Sequence, residues 1–177
     1  MFTPESLITL LLLVWIVYQD FRFRAVAWII FPALLSVLLV SSALEQNIRY
    51  AMERLVLNSL FVLFQLILVY LYFRIRQVKF NVLLNNYIGP GDLVFFFAVA
   101  PAFPLYIFIL YLSSGFLITI LIYASIRLFD PKFVLNKHPI PLAGMLSLWF
   151  ILFQVTICSF PDLLYSIDLH STLLTAL

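Results

Sequence analysis

Charged residues are scarce in this chain: only 10% of its 177 residues are charged, whereas 65% are hydrophobic. A soluble domain of this size carries much more polar material to cover its surface, so a water-soluble class is excluded. The composition is that of a polytopic membrane protein. Because the length leaves no room for a second module, we expect one all-α integral-membrane domain over residues 1–177.

Cysteine and histidine are nearly missing as well. Cys158 is the only cysteine, which excludes an intrachain disulfide and a paired-cysteine zinc site. The two histidines, His138 and His170, have no partner at metal-ligand spacing, so we expect neither a metal nor a cofactor. The small net charge of +2 gives no indication of a nucleic-acid partner, and the sequence has no phosphate loop or dinucleotide fingerprint.

Long hydrophobic runs take up most of the chain. About 20 apolar residues are needed to span a bilayer core. The six candidate spans cover residues 4–19, 26–44, 55–73, 92–112, 116–129 and 140–160. Pro101 and Pro104 should kink or unwind the fourth span, and residues 113–115 (Ser-Ser-Gly) should form a tight turn before the fifth. The tail, residues 161–177, is apolar enough for an interfacial helix.

The basic residues of the loops predict the orientation. If Asp20 faces the cytoplasm, eight basic residues lie in inside loops and two in outside loops. The inside set is Arg22, Arg24, Arg74, Arg76, Lys79, Arg127, Lys132 and Lys137, and the outside set is Arg49 and Arg54. The positive-inside rule then places both termini outside the cytoplasm, in a protein of the inner (cytoplasmic) membrane.

Residues 87–94 hold the densest cluster of unusual residue types. Two of the four glycines, a proline and a carboxylate meet in Gly89-Pro90-Gly91-Asp92, directly before an uninterrupted apolar run. Glycine lets the backbone turn tightly and aspartate is a good helix N-cap, so capping is the simplest interpretation of this acid. A catalytic interpretation needs a second carboxylate at the same depth in the membrane.

Asp20 supplies that second carboxylate, because it closes the first span at the edge where Asp92 opens the fourth. Two acids within hydrogen-bond reach cannot both ionise cheaply, so one holds a proton while the other is charged. Such a pair can activate a water and protonate a leaving amine, as amide hydrolysis requires. The alternative for Asp20 is an ion pair with Arg22 or Arg24. Asp130, the remaining acid on this side, lies among basic residues and is expected to have a turn role.

Three segments carry a resemblance to a known family. Residues 20–26, Asp-Phe-Arg-Phe-Arg-Ala-Val, resemble the Asp-x-Arg-x-Arg-x-Ile segment of type IV prepilin peptidases, and residues 89–92 resemble the Gly-x-Gly-Asp motif of the same enzymes. Residues 140–144, Ile-Pro-Leu-Ala-Gly, are similar to their late Ile-Pro-Phe-Gly-Pro segment. Small residues at that point let another helix or a substrate approach closely. The order and spacing of the segments fit across nearly the whole chain.

The resemblance implies an intramembrane aspartyl protease in which Asp20 and Asp92 are catalytic. The supporting positions carried over from the motifs are Gly89, Gly91, Arg22, Arg24 and Pro141. The implied substrate is a prepilin-like protein with a hydrophobic N-terminal helix, whose basic leader is cut at the cytoplasmic membrane face. Because the cytoplasmic domain with cysteine pairs is missing, the chain is similar to the short, cleavage-only members that lack methyltransferase activity.

Departures from the family pattern motivate other functions. Val94 occupies the place of a usual lysine, and Ala27-Trp28 replace a usual Pro-Asn. These changes favour a catalytically inactive homologue that scaffolds a pilus or secretion assembly. A small proton-coupled transporter is a third hypothesis, since a kinked fourth span and intramembrane acids suit that class. Against the transporter, both acids are expected at one membrane face instead of the midplane, and no inverted repeat is visible. The peptidase is preferred for its paired acids, its topology and the order of its motifs.

Overall fold

The computed structural model describes residues 4–76, 89–129 and 141–159, and every regular element in these ranges is a helix. The α-helices are α1 (Pro4–Phe23), α2 (Ile30–Glu45), α3 (Ile48–Ile75), α4 (Pro90–Ala98), α5 (Leu105–Phe129) and α6 (Leu142–Ser159). A 3₁₀ turn, Ala100–Ala102, lies between α4 and α5. The expected all-α class is confirmed for this part of the chain. The predicted interfacial tail, Asp130 and both histidines lie outside the described residues.

Helices α1 and α3 and the segment Leu105–Ile126 of α5 are long and apolar enough to cross a membrane. Helix α2 and the segments Pro90–Ala102 and Leu142–Thr156 are apolar but shorter. Much of this apolar surface faces outward: only 11% of the candidate span in α3 is buried inside the protein. Such a surface indicates a membrane protein with three candidate spans among the described helices, where six spans were predicted.

The helices form one bundle in which α1 packs against α2 and α6, α2 against α3, and α5 against α6. Helix α4 and the 3₁₀ turn pack against α2 and α3. Large aromatic side chains fill the centre: Phe95, Phe108 and Tyr111 are 0% exposed. The buried Tyr111 hydroxyl donates a hydrogen bond to the Leu146 carbonyl of α6 at 2.9 Å, so its polar atom is satisfied inside the core. This packing holds the end of α1 beside the beginning of α6.

The predicted fourth span is broken in the middle. Helix α4 ends at Ala98, the 3₁₀ turn contains Pro101, and Phe103 is extended (φ −135°, ψ 153°) before α5 begins at Leu105. Proline has no N–H to continue a helix, and Pro104 restricts the residue before it to extended backbone. The prediction that the two prolines unwind a turn is therefore confirmed, while the prediction of one span over residues 92–112 is wrong.

The predicted turn at residues 113–115 is also wrong, because these residues lie inside α5. The Ser114 hydroxyl donates to the Leu110 carbonyl at 2.6 Å and accepts a 3.0 Å hydrogen bond from the Trp149 indole of α6. A Cβ at Gly115 would lie 2.6 Å from the Leu146 side chain and 2.9 Å from the Trp149 ring, so a larger residue would force these side chains to shift at the crossing of α5 and α6. The small residues serve helix packing here, and the helix continues through them.

Candidate active site

Asp20 lies in the last turn of α1, where its side chain is only 8% exposed. The helix continues to Phe23 and is then ended by Arg24, whose φ of 51° is in the left-handed region. The Arg24 amide donates to the Asp20 carbonyl at 3.0 Å, and the Gln19 side chain accepts a 2.9 Å hydrogen bond from the Ala27 amide. These contacts close the connection to α2 and fix the backbone that carries the acid.

Asp92 is the third residue of α4, whose N-cap is Gly89 and whose first residue is Pro90. The simple N-cap interpretation of Asp92 is therefore wrong. Its own amide donates to the Gly89 carbonyl at 3.1 Å, and its carboxylate interacts with the Gly89 amide. A Cβ at Gly89 would lie 3.0 Å from Asp92 Oδ2, so the absence of a side chain there lets the carboxylate fold back against the turn.

The first turn of α6 holds both carboxylates. The Ala143 amide donates to Asp92 Oδ1 at 2.9 Å, and the next amide, that of Gly144, donates to Asp20 Oδ2 at 2.6 Å. The first amides of a helix have no acceptor within the helix and lie at the positive end of its dipole. Two consecutive peptide groups therefore bind two acids that come from different helices, and the acids are brought side by side.

The surroundings of this pair are tightly packed and electrostatically mixed. The two acids repel each other, whereas Arg24 attracts Asp20. A Cβ at Gly144 would lie 3.0 Å from both Asp20 Oδ2 and the Phe21 ring, so a larger residue there would require these side chains or α6 to shift. The helix amides and the arginine offset part of the charge that two neighbouring carboxylates concentrate in one place.

The other positions carried over from the resemblance differ in their relation to the pair. Gly89 contacts Asp92 directly, and the carbonyl of Pro141 accepts the Met145 amide at 3.0 Å as α6 begins. Arg22 is exposed at the end of α1. A Cβ at Gly91 would lie 3.8 Å from the Phe31 ring, an ordinary contact, so nothing in this packing requires glycine there.

Val94, which occupies the place of a usual lysine, is partly buried and packs against the hydrophobic core. Its side chain belongs to the helix packing and supplies no charge to the site. Ala27 and Trp28 lie in the exposed connection after α1. Lys79, one of the predicted inside-loop basic residues, lies outside the described residues.

The amides of Ala143 and Gly144 are functional groups that the residue types alone did not predict. The sequence indicated a close approach of another helix or a substrate at residues 141–144, because small residues follow a proline there. It did not indicate that the approaching groups are the two acids. Residue identity does not reveal a backbone donor, because nearly every residue has an amide. The usable signals were Pro141, just before the helix start, and Gly144, in its first turn.

The site joins three segments that are far apart in the chain, and they are the same three that carry the resemblance to type IV prepilin peptidases. The chain matches no protein-family model, no curated protein and no solved structure. Membership of that family therefore stays a prediction.

Proposed function

We propose that this chain is an intramembrane aspartyl endopeptidase that removes the N-terminal leader of a prepilin-like membrane protein. The observation that supports the proposal most is the binding of Asp20 and Asp92 by consecutive amides at the start of α6. An ion pair of Asp20 with an arginine accounts for one acid only. A shared pair of carboxyl groups is the arrangement that acid–base hydrolysis of an amide requires.

The chemistry needs one carboxylate and one carboxylic acid. The carboxylate takes a proton from a water that attacks the scissile carbonyl, and the carboxylic acid protonates the leaving amine. Each α6 amide occupies one oxygen of its acid, Asp20 Oδ2 or Asp92 Oδ1. The second oxygen of Asp20, Oδ1, is not taken by either bond and is the natural place for the water, whereas Oδ2 of Asp92 lies against Gly89. The mechanism requires the pair to share one proton, which the repulsion between two neighbouring charges favours.

The proposed topology keeps both acids at the cytoplasmic face of the inner membrane. The outside connection between the fourth and fifth crossings moves from residues 113–115 to residues 103–104, since α5 is one helix. The distribution of eight inside and two outside basic residues does not change with this correction. A leader cut just before the substrate's hydrophobic helix would reach the pair from the cytoplasm, at the membrane edge.

Co-expression with a tagged prepilin-like protein tests this function. In a host without its own peptidase, wild type is expected to shorten the substrate, whereas Asp20→Asn and Asp92→Asn should not, although both accumulate in the membrane. Glu53→Gln is the matched control, because Glu53 is an exposed acid of α3 near its start. Retained cleavage in either aspartate variant removes that residue from the mechanism. A folded wild type that cleaves none of several substrates favours the inactive scaffold.

A further inference from the structure

Asn58 is a completely buried polar residue in α3, 0% exposed. Its side-chain amide donates one hydrogen bond to the Ala100 carbonyl at 2.6 Å and another to the Phe103 carbonyl at 2.8 Å. Both carbonyls belong to the broken segment between α4 and α5. A side chain of α3 thus binds the backbone at the break between α4 and α5.

The two acceptors are carbonyls that the break exposes. In a continuous α-helix the Ala100 carbonyl would accept the amide of residue 104, but residue 104 is Pro104 and has no N–H. Phe103 is extended, so the chain leaves the helical path at the same point. Ala100 is 0% exposed and Phe103 is 8% exposed, so an unpaired carbonyl there has little access to water and is costly. Asn58 supplies the donor that the proline removes.

The side-chain oxygen of Asn58 shows which of its polar groups contributes to stability. Asn58 Oδ1 is buried and has no hydrogen-bond partner within the described part of the protein. A half-satisfied buried amide costs stability, and a leucine of similar size in α3 would avoid that cost. The two donated hydrogen bonds are therefore the contribution that distinguishes this asparagine from an apolar residue.

The break is mechanically linked to the candidate site through α4. Asp92 lies at the start of this short helix, and Phe95, Phe96 and Ala98 along it are buried. Core packing therefore holds the middle of α4, and Asn58 holds the break that follows its end. Asp92 and the break lie at opposite ends of one helix of nine residues, so a shift of the break displaces the acid as long as the helix stays intact. The position at which α3 fixes the end of α4 therefore determines the distance from Asp92, at the start of α4, to the Ala143 amide.

We propose that Asn58 is a positioning residue that fixes the break between α4 and α5 and thereby sets the place of Asp92 beside Asp20. The catalytic consequence rests on the proposed peptidase function, but the structural consequence does not. Asn58 touches neither acid, so its effect is transmitted through α4. Its replacement should change the geometry of the pair in a protein that still folds.

Crosslinking of cysteines measures that geometry without any activity. In a Cys158→Ser background, Asp20→Cys and Asp92→Cys are combined, and the pair is treated in membranes with a short bifunctional thiol reagent. Adding Asn58→Leu should slow crosslinking about ten-fold, because two buried hydrogen bonds that hold the break are lost. Gln65→Leu, an amide-to-leucine change two turns further along α3, is the matched control and should leave the rate near that of the parent.

With both acids intact, Asn58→Leu should lower kcat about 100-fold and leave KM nearly unchanged, as expected when a reacting group is displaced while the substrate-binding surface is kept.

Parental crosslinking in a folded Asn58→Leu protein overturns the proposal, whatever the activity. If the parent cleaves nothing, the peptidase proposal fails while the crosslinking comparison still decides the role of Asn58. If Asn58→Leu does not fold, Asn58→Ser keeps one hydroxyl donor and should crosslink at an intermediate rate, and a parental rate there overturns the proposal equally.

Discussion

At the scale of single residues, the site depends on the space left by a missing side chain as much as on the polar atoms that side chains supply. Asp20 and Asp92 supply the oxygens, but Gly144 lets the first turn of α6 come within 2.6 Å of Asp20. The two acids could be predicted as a pair from the sequence, since each lies at the end of a hydrophobic run and the loop charges predict the same side of the membrane for both. The donors could not, because any residue except proline carries a backbone amide.

Gly144→Ala tests this packing. The new Cβ would lie 3.0 Å from Asp20 Oδ2 and from the Phe21 ring, so the acid or α6 must shift. We expect kcat for leader cleavage to fall by about 100-fold with little change in the amount of protein in the membrane.

Gly91→Ala is the control for that prediction, because its Cβ would meet only the Phe31 ring at 3.8 Å. Its activity should stay within about two-fold of wild type, as expected for a substitution that causes no clash. Equal losses in the two variants would show that the glycine motif, and not the approach of α6 to Asp20, controls the site.

At the scale of helices, composition predicted the all-α class of the described residues, but not where the helices end. Residues 113–115 have the composition of a turn, yet the partner helix α6 determines their structure: Trp149 donates to Ser114 and the Leu146 side chain fills the space beside Gly115. Pro101 and Pro104 act locally through a missing N–H, so their effect could be predicted from the sequence alone. The packing of segments that are distant in the chain could not be predicted from the local sequence.

Gly115→Ala is expected to destabilise the bundle, although alanine is the better helix former in isolation. Its Cβ would lie 2.6 Å from the Leu146 side chain and 2.9 Å from the Trp149 ring, which is overpacking worth about 1–3 kcal/mol. Thermal unfolding in detergent should show a lower midpoint. Ser113→Ala, at the exposed neighbouring position, should leave the midpoint nearly unchanged, and an unchanged midpoint for Gly115→Ala would contradict the close crossing of α5 and α6.

At the scale of the whole molecule, membrane topology determines whether the two acids face the same compartment. The charge of the loops predicts that they do. Because α5 is one helix, the proposed topology has residues 103–104 in place of residues 113–115 as the outside connection. The proposed topology requires the three shorter apolar segments to cross the membrane together with the three long candidate spans.

Cysteine accessibility in intact cells tests that topology in a Cys158→Ser background. Gln46→Cys, in the exposed connection between α2 and α3, should react with a membrane-impermeant maleimide from outside. Arg76→Cys should react only after the cells are permeabilised. Ser113→Cys should react in neither case, because α5 carries it within the membrane. Labelling of Ser113→Cys from outside would restore the turn at residues 113–115 and contradict the continuous helix.

The most direct test of the central claim is the cleavage rate of a leader-containing substrate by purified wild type, Asp20→Asn, Asp92→Asn and the double variant. Two carboxyl groups that share one proton act as a unit, so each single variant should lose at least about 1,000-fold in kcat and the double variant should lose no more. Losses that multiply in the double variant, or substantial activity in either single variant, would contradict a working pair of acids held by the first turn of α6.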